Sequence, residues 1–249
     1  HMSEQAIKKI LITGANGFIG GSLMRYYQNH GQDTVGVDLI GNDDDIVEGD
    51  ISQPDTISQQ LQECDVIIHT AALVSNAMQD SDMWQVNVLA TRNLIQAAKE
   101  HKVRRFVQIS SIVAYGNSAE GELDETHPVH ADGGSYVLTK LASEHVVLSE
   151  QANDDIEVVI IRPGDAYGPG SRPWIIAPLE AIAKNQFMLP EKGEGFFRPI
   201  YIDDLVRGIA IASRHPDAAG EIFNLSCEGY MFTKDYFTPH YRWLGERRP

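Results

Sequence analysis

Cysteine is scarce in this 249-residue chain: Cys64 and Cys227 are the only two, far apart and in no Cys-x-x-Cys or Cys/His ligand spacing. That excludes a disulfide framework and predicts two reduced, structural thiols and no metal. Cations are also in short supply, 20 Lys and Arg against 35 Asp and Glu, for a formal net charge of -15. A phosphate backbone or an anionic lipid surface is held through an excess of cations, so nucleic acid and membrane drop out as expected partners. No uninterrupted apolar run reaches bilayer-spanning length, and the opening residues lack a charged-then-apolar leader pattern. A cytoplasmic protein acting on a small molecule is the expectation that remains. His1-Met2 reads as a cloning remnant, and no internal repeat or low-complexity segment is visible.

The chain is long enough for a substantial core, in one large domain or in one domain with a smaller lobe. Apolar runs bounded by turn residues predict buried strands at Lys8 to Thr13, Thr34 to Asp38, Val66 to Thr70, Val103 to Ser110 and Glu157 to Arg162. Amphipathic stretches near Ile19 to Asn29, Thr56 to Gln62, Trp84 to Glu100 and Tyr136 to Ala152 predict helices between them. Strand alternating with helix at this period implies an α/β fold, a doubly wound parallel sheet of the Rossmann type covered on both faces. Beyond Arg162-Pro163-Gly164 a Pro- and Gly-rich passage with aromatics predicts a small C-terminal substrate lobe. A strand near Ile200 to Ile202, a helix capped by Asp203 or Asp204 and a strand near Ile222 to Leu225 should then rejoin the sheet. Residues 3–164 are thus expected to bind a dinucleotide, and 165–249 mainly to bind substrate, with 200–225 returning to the sheet.

Three sets of residues carry chemistry. Gly14, Gly17 and Gly20 follow a predicted strand and open a predicted helix. Gly14 permits a tight turn, Gly17 lets backbone approach a pyrophosphate and Gly20 lets the helix pack closely. Asn16, Phe18 and Ile19 complete that cradle, whose alternative is a glycine-rich turn with no ligand. Asp38 ends the second strand, where a carboxylate can accept hydrogen bonds from adenosine ribose hydroxyls. With no Arg or Lys close behind it, Asp38 favours NAD over NADP. Asp50 and Ile51, further on, can flank the adenine or form a plain loop. Tyr136 and Lys140 stand four residues apart, which puts a phenol and an ammonium on one helix face. The cation is expected to make the phenol a better acid and its phenolate a better base. A nucleotide cradle plus a phenol poised for proton transfer is the minimum equipment for hydride chemistry on an alcohol or carbonyl.

Further segments bring a resemblance. Thr13 to Gly20, His69-Thr70-Ala71-Ala72, Asn87 to Leu94, Ser110-Ser111-Ile112-Val113-Ala114-Tyr115-Gly116, Tyr136 to Lys140 and Arg162 to Gly170 occur in this order. In them the chain resembles the extended short-chain dehydrogenase/reductases of the NAD-dependent epimerase/dehydratase type, over nearly its whole length. The resemblance implies Tyr136 as general acid or base and Lys140 as the group holding the nicotinamide ribose. It implies Ser111 as the hydroxyl on the reacting oxygen, and Ala71, Ala72 and Pro163 beside the cofactor. Asn87 matches a helix asparagine associated with the site, with a structural hydrogen bond as its alternative. Lookalikes are commonly homodimers. They also usually run well past Arg247-Arg248-Pro249, which implies a lobe incompletely represented here.

Departures from the family pattern narrow the reaction. Ile112 and Val113 stand where 4,6-dehydratases resemble one another in an acid and a base, which disfavours dehydration. Asp165 stands where sugar-nucleotide epimerases resemble one another in an asparagine near the diphosphate, and a carboxylate there repels it. Arg198-Pro199-Ile200 replaces the usual Arg-Asp-Phe, blurring a further phosphate cue. Trp174, Ile175, Ile176, Phe187, Met188, Phe196 and Phe197 offer an apolar lining or, alternatively, ordinary core. His69, His127, His130 and His145 do not cluster at metal spacing and read as structural or surface groups. The resulting expectation is an NAD-dependent oxidoreductase acting on a secondary alcohol or ketone, hydroxysteroid- or polyketide-like. Its rivals are a nucleotide-sugar epimerase using bound NAD transiently and a non-catalytic NAD-binding sensor.

Overall fold

The computed structural model describes residues 6–42, 45–74, 79–116, 121–152 and 155–246; His1-Met2 and Arg247-Arg248-Pro249 lie outside them. The chain divides into two compact units, His1–Arg162 with Val206–Asn224, and Pro163–Leu205 with Leu225–Pro249.

The first unit is built on a seven-stranded sheet. Its strands are β1 (Ile10–Thr13), β2 (Thr34–Asp38), β3 (Ile46–Glu48), β4 (Val66–His69), β5 (Arg105–Ile109), β6 (Glu157–Pro163) and a last strand, β10 (Ile222–Leu225). Their order is β10-β6-β5-β4-β1-β2-β3. The pairings of β1 with β2 and β4, of β2 with β3, of β4 with β5 and of β5 with β6 are all parallel. Ile10 to Thr13, Val66 to His69 and Arg105 to Ile109 are buried throughout, which is why they are mostly apolar rather than alternating, with Arg105 and Gln108 as buried polar exceptions in β5. Helices α1 (Phe18–Asn29), α2 (Ser58–Glu63), α3 (Asp80–Met83), α4 (Thr91–Glu100) and α5 (Gly134–Gln151) intervene. Leu11, Val37, Ile67, Phe106 and Ile160, from five strands, pack with Leu94, Ile95 and Val147 in one core. The strand order reverses between β1 and β4, so their carboxyl ends open the crevice where ligands bind in such sheets.

Three elements differ from the sequence expectation. The helix expected from Trp84 to Glu100 begins as a wide π-type turn over Trp84–Ala90, directly after α3, and becomes α-helical only in α4. Thr91 Oγ1 donates to the Asn87 carbonyl at 2.9 Å and so competes for an acceptor of the regular ladder. The strand expected near Ile200 does not rejoin the large sheet. It is β9 (Pro199–Tyr201) and pairs in parallel with β7 (Asp165–Tyr167), because the seven-stranded sheet takes β10 as its edge on that side. Helix α7 (Ile202–Arg214) begins before Asp203 and Asp204, which occupy its first turn rather than its cap and complement the helix dipole there.

The second unit adds α6 (Ala177–Ala183), α8 (Thr233–Trp243) and an antiparallel pair, β8 (Phe196–Phe197) with β11 (Met231–Phe232). Its core is Phe197, Tyr236 and Phe237, with Tyr167, Trp174, Phe187 and Leu189 packed on them. Tyr236 Oη donates to the Trp174 carbonyl at 3.1 Å, and His240 Nε2 lies 2.8 Å from the same oxygen. Of the aromatics expected as an apolar lining, Phe197 is therefore core, and Trp174 and Phe187 are half-buried against it.

Candidate active site

The turn after β1 is shaped by what its glycines exclude. Gly14 has φ +67°, and a Cβ there would stand 2.8 Å from the Ala71 backbone nitrogen. A Cβ on Gly20 would lie 2.1 Å from the Gly14 carbonyl oxygen, so Gly20 allows the first turn of α1 to close on the loop itself. Gly17 stands just before α1, with no side-chain cap behind it and no acidic residue in the first turn. The N–H groups of Phe18, Ile19 and Gly20 therefore lack the intrahelical acceptors that later residues have, and they form an electropositive cradle. Across from them Asp38 accepts from the Asn16 N–H at 2.9 Å through Oδ2 and from the Leu39 N–H at 2.8 Å through Oδ1. Asn16 Nδ2 donates to the Ile40 carbonyl at 2.8 Å, tying the loop to the end of β2. Leu39 and Ile40 are exposed and uncharged, so no cation stands immediately behind Asp38. This donor set and its flanking carboxylate fit the pyrophosphate and ribose of a dinucleotide.

Asp50 and Ile51 are placed differently from that cradle. Asp50 Oδ1 accepts from the Ser52 N–H at 2.8 Å in a turn of its own, and the Ile51 side chain belongs to the core. Ala71 and Ala72 follow β4 and are half-buried beside Gly14, where small side chains permit the close approach. Pro163 is the last residue of β6.

Tyr136 and Lys140 lie on one face of α5. Burial pushes the Tyr136 phenol up to about 12, and a hydrogen bond with the Ser111 side chain pulls the other way. The acidification expected from Lys140 does not enter this balance, which burial dominates. Lys140 is itself buried, with Nζ donating to the Ile109 carbonyl at 3.0 Å. Burial lowers its pKa to about 8, against the raising effect of the Glu144 charge. Ser111 precedes the short turn Ile112–Tyr115, and its Oγ accepts from the Val113 N–H at 3.3 Å, which orients the hydroxyl. In the second unit, burial pushes the Asp165 carboxyl up to about 6, opposed by a hydrogen bond from the Arg198 N–H at 3.3 Å.

Two supporting networks were not foreseen. His69 joins the glycine turn to the helical layer: Thr13 Oγ1 lies 2.7 Å from Nδ1 and Thr91 Oγ1 2.8 Å from Nε2. Since Thr91 spends its proton on the Asn87 carbonyl, Nε2 is the donor and Nδ1 accepts from Thr13. Asn87 accepts from the Leu73 N–H at 2.7 Å and donates to the Leu73 carbonyl at 3.0 Å and to Thr139 Oγ1 at 3.1 Å. Its side chain is fully used in pinning the loop after β4 to α5, which decides for the structural alternative. The second network pairs Glu144 with Arg162. The available signal was spacing, since Tyr136, Lys140 and Glu144 recur every four residues along α5.

The chain belongs to the NAD dependent epimerase/dehydratase family, whose profile matches residues 10–226. Its relatives are extended short-chain dehydrogenase/reductases. It is 30% identical over 236 residues to a UDP-glucose 4-epimerase of Vibrio cholerae, covering 88% of this chain and 70% of that one. It is 27% identical over 267 residues to a decarboxylating sterol-4-alpha-carboxylate 3-dehydrogenase of Candida albicans, covering 97% and 74%. Among solved structures, MoeE5 in complex with UDP-glucose and NAD is similar with a TM-score of 0.86 and 26% identity, covering 96% of this chain and 83% of that one.

Proposed function

We propose that the protein is an NAD-dependent oxidoreductase that moves hydride between the nicotinamide and a secondary alcohol or ketone. Residues 3–164 carry the cofactor in this reading, and residues 165–249 mainly recognise the substrate. The N–H groups of the Gly14 to Gly20 turn hold the pyrophosphate, Asp38 the adenosine ribose, and Ala71 and Ala72 give room for close approach. Lys140, with one N–H committed to Ile109, keeps two for the nicotinamide ribose hydroxyls. Bound NAD supplies the site that accepts or gives hydride and, when oxidised, a positive ring charge. Tyr136 Oη exchanges the proton with the substrate oxygen, and Ser111 Oγ donates a hydrogen bond to that oxygen. The observation that carries this reading is the face of α5 that holds Tyr136 and Lys140 together, with Lys140 buried and its Nζ fixed on the Ile109 carbonyl at 3.0 Å and the Ser111 side chain lowering the Tyr136 phenol pKa against burial.

Tyr136→Phe tests it. Turnover should fall roughly 100- to 10,000-fold with NAD binding preserved, and near-normal activity on a true substrate would remove Tyr136 from the role.

A second reading, a nucleotide-sugar epimerase that returns the hydride to the opposite face, is favoured by one observation. Phe197 is core of the second unit and Trp174 and Phe187 pack on it, which weakens the support for a hydroxysteroid- or polyketide-like substrate. Against it, the Asp165 carboxylate is charged above about pH 6. Stoichiometric NADH from a non-nucleotide alcohol supports the first reading, and isomerised nucleotide sugar with no net NADH supports the second.

A further inference from the structure

Glu144 is 1% exposed, and no step of the proposed chemistry uses it. It stands four residues past Lys140 and eight past Tyr136, on the same stripe of α5. A carboxylate kept from water must be compensated, and Arg162 on β6 does so with two prongs. Nε donates to Oε1 at 3.0 Å and Nη2 to Oε2 at 2.7 Å, with both side chains almost completely buried. The third arm of the guanidinium, Nη1, donates to the Tyr115 hydroxyl at 3.0 Å, and its carbon lies 4.8 Å from the centre of the Tyr115 ring. Tyr115 Oη in turn faces the Asp124 carbonyl at 3.0 Å and Asn224 Oδ1 at 2.9 Å. The anion one helical turn from Lys140 is thereby held in a single position from β6, from the turn after Ser111 and from β10. The only hydrogen bond described for the Lys140 ammonium is to the neutral Ile109 carbonyl.

We propose that Glu144 is a positioning residue for the reaction: locked by Arg162 and Tyr115, its carboxylate keeps the Lys140 ammonium charged in a site otherwise stripped of water. The inference rests on Lys140 serving the site as proposed above. The titratable groups facing this cluster are Tyr136 on α5, His69 on β4, Tyr115 beyond β5 and Arg162 on β6. Glu144 supplies negative charge on the α5 stripe itself, and Glu125 Oε1, which accepts from the Asn224 N–H at 2.6 Å, stands at the β10 end of the network. Lys140 and Glu144 stand one turn apart on α5 and both are buried, at 5% and 1% exposure, so little water lies near either to screen one from the other.

The test is a carbon-13 titration of lysine-labelled, full-length, ligand-free protein, with the Lys140 signal assigned by its loss in Lys140→Met. Glu144→Gln should move the Lys140 midpoint down by about one unit or more, since Arg162 then faces it uncompensated. Glu144→Gln with Arg162→Met removes that stranded cation, protects folding and should lower the midpoint by less, in the same direction. A folded double variant whose Lys140 midpoint stays within about 0.3 units of the unmodified protein overturns the proposal. The basic limb of the kcat/KM profile should shift by the same amount as the midpoint, whereas a merely structural loss lowers activity at every pH. Because the titration is read without turnover, its outcome is independent of whether Tyr136 is the acid and base.

Discussion

Acidification should destabilise this protein through His69 in particular. The ring is 1% exposed and clamped between Thr13 and Thr91, a geometry that needs one bare nitrogen and so a neutral imidazole. Burial, and then the Lys140 charge, lower its pKa to about 3, from 6.5 for a free histidine. A group depressed in the folded state contributes stability that is complete above its unfolded pKa and is lost as pH falls towards the folded one. Each pH unit in that window removes about 1.4 kcal/mol, hence roughly 2 kcal/mol by about pH 5 and up to about 5 kcal/mol at pH 3. Whole domains are stable by only about 5–15 kcal/mol, so the loss is large enough to measure. Urea unfolding of the protein and of His69→Gln at about pH 7.5 and about pH 5 isolates this contribution. Glutamine retains one donor and one acceptor but does not titrate, so it should cost about 1–3 kcal/mol at the higher pH. Its loss on acidification should then be smaller than the parent's by about 2 kcal/mol. Parallel losses, equal within about 0.5 kcal/mol, would refute a neutral, buried His69.

Two substitutions probe the cofactor cradle. In Gly20→Ala the new methyl would meet the Gly14 carbonyl at 2.1 Å, backbone that cannot yield without moving the turn. Stability should fall by at least about 2 kcal/mol and NAD binding should weaken sharply, read by thermal unfolding with and without NAD. Asp38→Ala should weaken NAD and improve NADP, because a 2′-phosphate no longer meets a carboxylate, shifting their affinity ratio by roughly tenfold or more. Equal affinity of the unmodified protein for both dinucleotides would sink the Asp38 argument.

The glycine turn, the strand runs and the Tyr136, Lys140 spacing were legible in the sequence because each is a local necessity. A parallel strand buried on both faces is apolar along most of its length, and a phenol and an ammonium four residues apart share a helix face wherever the helix sits. The aromatics after Trp174 were not legible, since core and lining require the same residue types. Trp174 and Phe197 are separated only by what packs on them, and that includes Tyr236 and Phe237 from far along the chain. The strand at Ile200 was misplaced for a related reason. Its apolar residues suit any sheet, and it pairs with Asp165 to Tyr167 while β10, from further along the chain, takes the edge of the large sheet.

By itself the sequence determined an α/β chain with a glycine turn after the first strand, an acidic residue ending the second strand and a Tyr, Lys pair on one helix face, because these depend on neighbours within a few residues. Only the tertiary structure decided the electrical state of that pair. Burial raises the phenol and lowers the ammonium, while Glu144, held by Arg162 from another strand, opposes the second effect. A charge's energy depends on how much water is excluded and on which opposite charge lies close by, and neither distance is written along the chain.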